Sequence, residues 1–166
     1  MGLGQITALS YTLDTTSAFE RFPITGLHKS SSSDDLITDS AAGATAFACG
    51  TKTRNGYIGV DPSGKSRVTI LEEASRKGLT TGIVVSSTIV HATPAAFLSH
   101  VTNRDAYEAI AADLVDSGCD LMIGGGEKYF NRRSTDTLDL TVMMKNKGYA
   151  DARSQNRRAW RAGNGA

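Results

Sequence analysis

The chain has 166 residues, with 18 lysines and arginines against 17 aspartates and glutamates, for a formal net charge of +1. This length suits one domain with a core of its own. Because the positive and negative charges nearly cancel, the composition does not predict binding to nucleic acid or to a membrane surface. No apolar run is long enough to span a membrane. Residues 1–11 also lack the basic start and long apolar core of a signal peptide, so the chain as written would stay in the cytoplasm unless its start has been removed.

The two cysteines, Cys49 and Cys119, lie far apart in the sequence, and neither has a CxxC partner. A metal–thiolate site is therefore a poor interpretation. Free buried cysteines are expected, with a single disulfide as the alternative.

The first third of the chain leads from a helix through a loop into a helix of small residues. Apolar side chains recur at helical spacing within residues 1–19. Residues 21–33 are polar and irregular and predict a loop. Residues 36–38 predict a short strand or an extended entry, and residues 39–51 predict a helix rich in alanine and glycine.

Ser40 is predicted at or just before the N-terminus of this small-residue helix, because Asp and Ser are good N-cap residues. Free N–H groups and the helix dipole favour an anion there. A serine hydroxyl at that place is a candidate nucleophile only if a base or a metal lowers its pKa. The alternative is a plain N-cap serine before a buried helix.

Helix, glycine and strand then recur twice along the chain. The predicted elements are a surface hairpin or loop over 52–65, a helix over 66–77, a strand over 80–88, a helix opening near Pro94, a helix over 105–117, a strand over 120–123 and a helix over 137–147. The first strand shows little polarity alternation beyond its hydroxyls, so we expect it to be covered on both faces, and the second to be buried. The repeat is typical of a doubly wound, mostly parallel α/β sheet with helices on both faces.

Ligands of such sheets bind at the carboxyl ends of the strands. Three candidate strand ends are expected to gather there, at residues 39–40, 87–93 and 124–126. Residues 151–166 differ, with four arginines, one acid and almost no apolar periodicity. The sequence therefore predicts an α/β domain over residues 1–150 and an Arg-rich, disordered or weakly ordered tail over 151–166.

The polar residues near these strand ends fit phosphoryl transfer. Ser40 could attack phosphorus, and the planar fork of Arg104 could hold two phosphate oxygens. His91 and Thr93 could serve a cation, and Asp39 could orient Ser40 or Arg104.

Each of these residues has a plainer interpretation. His91 could be a hydrogen-bonded histidine after a strand, and Thr93 before a proline could be an N-cap. Arg104 could be a surface ion-pair partner of Asp105 or Glu108, which carries little energy.

Several motifs resemble those of the alkaline phosphatase family. The stretch 38–46, continued by 49–53 and 55–61, is similar to the segment that carries the family's nucleophile. Residues 91–104 resemble its second motif and residues 120–126 its third, in matching order and spacing. The resemblance runs from residue 1 to about residue 149 and implies the α/β fold of that family.

The resemblance implies a role for each candidate residue. Ser40 would be the serine that is phosphorylated and activated by zinc, with Asp39 beside it helping to position the site. Arg104 would bind the substrate phosphate, and Thr93 would belong to the magnesium shell. His91 stands where the family carries aspartate or histidine, which suggests looser magnesium binding through water or another cation preference. Two zinc ions would stabilise the attacking and leaving oxygens.

The implied activity is hydrolysis of phosphomonoesters through a phosphoserine, with zinc and magnesium as cofactors and inorganic phosphate as product. The parent protein would be a homodimer and periplasmic, secreted or membrane-anchored. A non-catalytic phosphate-binding or interaction module is a second interpretation. A related phosphodiesterase or sulfatase is a third, against which residues 39–41 and 91–94 argue.

The sequence also departs from the family pattern. Met1-Gly2 matches only the end of the family's Gly-Asp-Gly-Met-Gly motif, and no histidine follows His100. His28 and His100 do not fall at ligand positions. We therefore expect a fragment cut at both ends, or a product of internal initiation and a shifted frame. Such a chain should show little or no turnover alone and should expose sheet edges that favour self-association.

Overall fold

The computed structural model describes residues 3–24, 26 and 28–150, and the backbone of residues 161–162. Its α-helices are α1 Leu3–Thr12, α2 Ser40–Cys49, α3 Ile70–Arg76, α4 Ala92–Ala95, α5 Tyr107–Asp116, α6 Lys128–Asn131 and α7 Leu140–Asn146, with a 3-10 helix at Ala18–Arg21. Its strands are β1 Gly82–Thr88, β2 Leu121–Gly125, β3 Tyr149–Ala150 and β4 Arg161–Ala162. Among the described residues, no helix is long and apolar enough to cross a membrane.

Strands β1 and β2 pair in parallel, and α5 lies between them in the chain. Gly82 pairs with Leu121 and Val84 with Ile123, and after an irregular step Thr88 pairs with Gly125. Strands β3 and β4 form a separate antiparallel pair. The predicted α/β class with parallel strands is confirmed.

The core consists of apolar side chains from the helices and from the inner face of the sheet. Helix α5 contributes Ile110 and Leu114, which are fully buried. Helices α2 and α4 pack closely together, because the residues that meet there are mostly alanines. Ala41 and Ala95 are both fully buried, so the small side chains of α2 do admit a second helix at short range.

Residues 36–38, predicted as a short strand or an extended entry, do not form a strand. Leu36 and Ile37 form a bend and are largely exposed. Side chains take the backbone hydrogen bonds that a neighbouring strand would need: Asp35 Oδ1 accepts from the Ile37 N–H at 2.9 Å, and Asn55 Nδ2 donates to the Ile37 carbonyl at 2.9 Å.

The prediction that the first strand is covered on both faces is also wrong. Ile83 and Val85 face the core, but Val84 on the other face is 65% exposed. β-branched and hydroxyl side chains are compatible with either a buried or an exposed strand face. Among the described residues, no helix packs over Val84. In the second strand, predicted as buried, Met122 is buried while Leu121 and Ile123 are only half-buried.

The helices predicted over 39–51, 66–77, 105–117 and 137–147 are confirmed as α2, α3, α5 and α7, each three to five residues shorter than expected. Helix α3 begins late because Thr69 caps it, in a capping box with Glu72 that sequence reasoning missed. The helix predicted near Pro94 is the short α4. Helix α1 lies inside the helical pattern of residues 1–19 but buries none of its residues.

Cys49 and Cys119 are both free, as expected, although only Cys119 is fully buried. Burial raises the pKa of the Cys49 thiol to about 11. The prediction of a disordered tail over 151–166 lies outside the described residues, apart from the backbone of β4.

Candidate active site

Asp39 and Ser40 form the start of helix α2. Asp39 is the N-cap: its backbone is extended, and its Oδ1 accepts a hydrogen bond from the Ala42 N–H at 2.8 Å. Ser40 is the first helical residue and is exposed to solvent. The prediction that Ser40 lies at a helix N-terminus is confirmed, although Asp39 rather than Ser40 makes the cap.

Arg104 lies against this helix start. Its Nη1 donates to Asp39 Oδ2 at 2.9 Å, and each side chain is 25% exposed. The same oxygen accepts from the Gly56 N–H at 2.9 Å. Of the two residues that Asp39 was expected to orient, Ser40 or Arg104, it is Arg104 that pairs with its carboxylate. Among the ion pairs of the described residues, Arg104 has none with Asp105 or Glu108.

The charge state of Asp39 follows from these contacts. Its partial burial would by itself raise the pKa. The hydrogen bonds from the Ala42 N–H, Arg104 and the Gly56 N–H outweigh that effect and hold the pKa below its ordinary value of 3.8. Asp39 is therefore an anion at neutral pH and holds one N–H of the guanidinium.

His91 reaches the site from the end of strand β1. A turn closes with the His91 N–H donating to the Thr88 carbonyl at 3.0 Å, and His91 then precedes helix α4. Its Nε2 lies 3.5 Å from Arg104 Nη2, at the outer limit of a hydrogen bond. Thr93 lies inside α4 and is exposed, so the interpretation of Thr93 as an N-cap is wrong.

Two short antiparallel segments, residues 56–59 and 100–104, position Arg104 next to Asp39. Ile58 and Val101 exchange backbone hydrogen bonds of 2.8 and 3.0 Å, and the Arg104 N–H donates to the Gly56 carbonyl at 2.8 Å. Asn55 Oδ1 also accepts from the Asp39 N–H at 2.9 Å. Sequence reasoning missed the roles of Asn55 and Gly56, although the Asn-Gly pair that signalled a turn was available to find them.

The third predicted strand end, residues 124–126, lies at the end of strand β2. It joins the end of β1, where the Ile89 N–H donates to the Gly125 carbonyl at 2.9 Å. Beside it is a cavity of about 350 Å³, lined mainly by apolar side chains and the three glycines. Asp39, Ser40, His91 and Arg104 do not line this cavity. The segment after β1 contacts both places, the cavity through Ile89 and the candidate site through His91.

The side chains around Ser40 offer few donors for the implied metals. Within the described ranges, no three His, Cys, Asp or Glu side chains come together to hold a metal ion. Both oxygens of Asp39 are taken by Ala42, Gly56 and Arg104. A catalytic zinc site needs three protein ligands, and the described residues do not complete one beside Ser40.

Comparison with known proteins gives a consistent result. The family model for alkaline phosphatase matches residues 7–154. The chain is 44% identical to alkaline phosphatase 4 of Bacillus subtilis, over 70% of this chain and 26% of the relative. It is 35% identical to the alkaline phosphatase of Escherichia coli, over 81% of this chain and 35% of the relative.

Solved structures agree with the sequence comparison. The alkaline phosphatase of the Antarctic bacterium TAB5 matches with a TM-score of 0.84 and 41% identity, over 95% of this chain and 48% of that structure. A histidine-to-aspartate variant of the TAB5 enzyme, with Mg bound in its M3 site, matches with a TM-score of 0.83. The chain thus spans between about a quarter and a half of the length of these proteins. Because sequence and backbone agree over nearly all of the described residues, the chain belongs to the alkaline phosphatase family.

Proposed function

We propose that this chain carries the nucleophile and the phosphate-binding arginine of a phosphomonoester hydrolase of alkaline phosphatase type. Ser40 is the residue that becomes phosphorylated, and Arg104 binds the phosphate. The observation that supports this most directly is the 2.9 Å pair between Arg104 and Asp39, the residue next to Ser40. It brings an arginine fork to the helix end that carries the serine.

The electrostatics of this arrangement favour an anion. A guanidinium has five N–H donors, of which the contact to Asp39 uses one. The start of α2 adds the positive end of a ten-residue helix. A phosphate group in front of Ser40 would therefore meet a fixed arginine and free backbone N–H groups together.

Turnover needs more than these residues supply. A serine hydroxyl is a weak nucleophile without an adjacent base or metal, and the described residues complete no zinc site. Two zinc ions and one magnesium ion belong to the proposal for the whole protein, with His91 and Thr93 on the magnesium side. Phosphomonoester substrates, inorganic phosphate as product, a homodimer and a periplasmic, secreted or membrane-anchored location are likewise proposed for it. For this chain alone we expect phosphate binding with little or no hydrolysis.

Calorimetric titration with inorganic phosphate tests the binding half of the proposal. The unmodified chain should bind phosphate, and Arg104→Ala should weaken binding roughly tenfold or more, since a hydrogen bond to a charged group is lost. Arg132→Ala removes an exposed arginine from another part of the chain and should leave binding unchanged. Equal binding by Arg104→Ala and the unmodified chain would contradict the role of Arg104.

Hydrolysis of a chromogenic phosphomonoester at alkaline pH, with and without zinc and magnesium, tests the catalytic half. Ser40→Ala is the matched variant. Metal-dependent hydrolysis that Ser40→Ala abolishes would show that this chain assembles a working site by itself, against our expectation. Phosphate binding without hydrolysis is the expected outcome.

A further inference from the structure

His100 lies between two hydrogen-bond acceptors. Its Nδ1 is 2.6 Å from the Gly59 carbonyl oxygen, and its Nε2 is 3.0 Å from Glu72 Oε1. A carbonyl oxygen and an ionised carboxylate can only accept, so both ring nitrogens must carry a proton. A neutral imidazole has one N–H, and this arrangement therefore requires the imidazolium.

The charged groups around the ring fit that assignment. Glu72 reaches it from the N-terminus of α3, where its Oε2 also accepts from the Thr69 N–H at 2.8 Å. Asp113 faces it from α5, with its Oδ2 accepting from the His100 backbone N–H at 3.2 Å. Arg76 lies close enough to Glu72 to help keep that carboxylate ionised.

The balance of these effects favours the protonated ring. Partial burial would by itself lower the pKa of His100. The hydrogen bonds to Glu72 and to the Gly59 carbonyl, together with the negative charges of Glu72 and Asp113, outweigh it and raise the pKa above 6.5.

His100 lies at one end of the two antiparallel segments that carry the candidate site, and we call residues 56–59 with 100–104 the ladder. From His100 and Gly59 the ladder runs through the Val101–Ile58 pair to Arg104, whose N–H donates to the Gly56 carbonyl. The Gly56 N–H in turn binds Asp39. The ring and the Arg104–Asp39 pair are thus connected through two short backbone segments that hydrogen bonds tie together at the Ile58–Val101 and Gly56–Arg104 pairs.

We propose that His100 is a positioning residue, whose imidazolium fixes the ladder and thereby holds Arg104 against Asp39. The proposal rests on the proposed function in assigning phosphate binding to Arg104. When the ring loses one proton, one nitrogen lone pair faces an acceptor oxygen and that contact is lost. The stabilisation is fully present below the pKa of an unfolded histidine, about 6.5, and is lost as the pH rises through the higher pKa of the folded state.

Two measurements on the full chain test this. Ring-nitrogen NMR of labelled histidine should show both nitrogens of His100 still protonated at a pH just above 6.5, where an ordinary histidine is mainly neutral. Hydrogen exchange should show the protection factor of the Arg104 N–H falling roughly tenfold or more as His100 deprotonates, since a charge-assisted hydrogen bond is lost. His28→Asn changes an exposed histidine outside the ladder and should leave this fall unchanged.

Glu72→Gln is the variant that separates positioning from mere packing. The glutamine oxygen can still accept from the Thr69 N–H, and its NH₂ can donate to the Nε2 of a neutral ring. The variant should therefore lower the pKa of His100 and abolish the loss of Arg104 protection at high pH. His100→Asn can offer a donor to the Gly59 carbonyl only, so it should show weak protection at every pH.

The outcomes are distinct. A His100 ring that is mainly neutral just above pH 6.5 would overturn the proposal. So would protection of the Arg104 N–H that does not change as His100 titrates, or a Glu72→Gln profile identical to the unmodified one. If His100→Asn does not fold, the Glu72→Gln profile still decides. Phosphate titration at the same pH values separates the two proposals. If the unmodified chain does not bind inorganic phosphate, the proposed function is wrong. Hydrogen exchange would still decide the role of His100.

Discussion

Asp39 combines three contacts in one carboxylate. One oxygen caps helix α2, and the other accepts from both the Gly56 N–H and Arg104. The residue that aligns the arginine is therefore the residue that starts the helix behind Ser40. A substitution at Asp39 should affect helix stability and arginine position to different extents, depending on which oxygen it keeps.

Asp39→Asn and Asp39→Ala separate these contributions. Asparagine is as good an N-cap as aspartate, so Asp39→Asn should keep the cap but lose the charged bond, at a cost of about 1–2 kcal/mol. Asp39→Ala loses the cap as well and should cost about 1 kcal/mol more. Urea unfolding of both variants measures the difference. Equal stabilities for the two would show that the cap contributes nothing.

Acid should weaken the same contacts. The pKa of Asp39 is lower in the folded state than its ordinary 3.8, so its contribution to the free energy of unfolding is present above that value and is lost as the pH falls through the folded-state pKa. The unmodified chain should therefore lose more stability on acidification than Asp39→Asn does. Urea unfolding of the pair across the acid range measures this, and parallel losses would contradict it.

At the scale of elements, the ladder depends on close approach at Gly59. Its φ is +61°, and a Cβ there would lie 2.1 Å from the Ser99 carbonyl oxygen and 2.8 Å from His100 Nδ1. Gly50 has a similar φ of +65°, but a Cβ there would meet nothing within 4 Å. A side chain at either glycine would strain the backbone to the same extent. Only at Gly59 would its Cβ also collide with neighbouring atoms.

Gly59→Ala should therefore destabilise the chain much more than Gly50→Ala. The left-handed conformation costs a non-glycine residue about 1–2 kcal/mol at either position, and the collision with backbone at Gly59 should add roughly 2 kcal/mol or more. Thermal unfolding of the two variants measures this. Similar melting temperatures would mean that residues 99–100 move aside freely.

How far the sequence predicts these elements depends on how local their causes are. The glycines that end helices are local signals, and Gly78, Gly118 and Gly148 do adopt positive φ. The failed strand at 36–38 has a distant cause, since Asn55 takes a hydrogen bond that a strand would make. The pairing of Ile58 with Val101 is equally distant.

The candidate site was predictable to a similar degree. The motifs indicated Ser40, Asp39, His91 and Arg104 as candidates. The structure adds the contacts between them. The pair between Asp39 and Arg104 joins residues 65 positions apart, which no local pattern encodes. The assignment of catalytic and metal-binding roles to these residues stays a prediction.

At the scale of the whole molecule, the sheet has an uncovered face. Val84 is 65% exposed on β1, and Leu121 and Ile123 lie half-buried on its partner strand β2. Exposed apolar surface on a short sheet favours association with other chains. We expect the isolated chain to self-associate through this face.

Val84→Thr should reduce that association, because threonine keeps the β-branched shape and adds a hydroxyl. Val68→Thr makes the same change at a residue that is 51% exposed and lies outside the sheet, and serves as the matched control. Sedimentation velocity over a range of concentrations measures the effect. A monodisperse unmodified chain, or equal effects from both variants, would rule out the sheet face as the cause.

Helix α1 has a consequence for proteolysis. It buries none of its ten residues, and Tyr11 within it is 89% exposed, while a helix of this length is marginal in water without packing. Chymotrypsin should therefore cut after Tyr11 long before it reaches the buried Phe130. The shortened product should melt at the same temperature as the uncut chain. The core residues unfold together, and α1 contributes none of them.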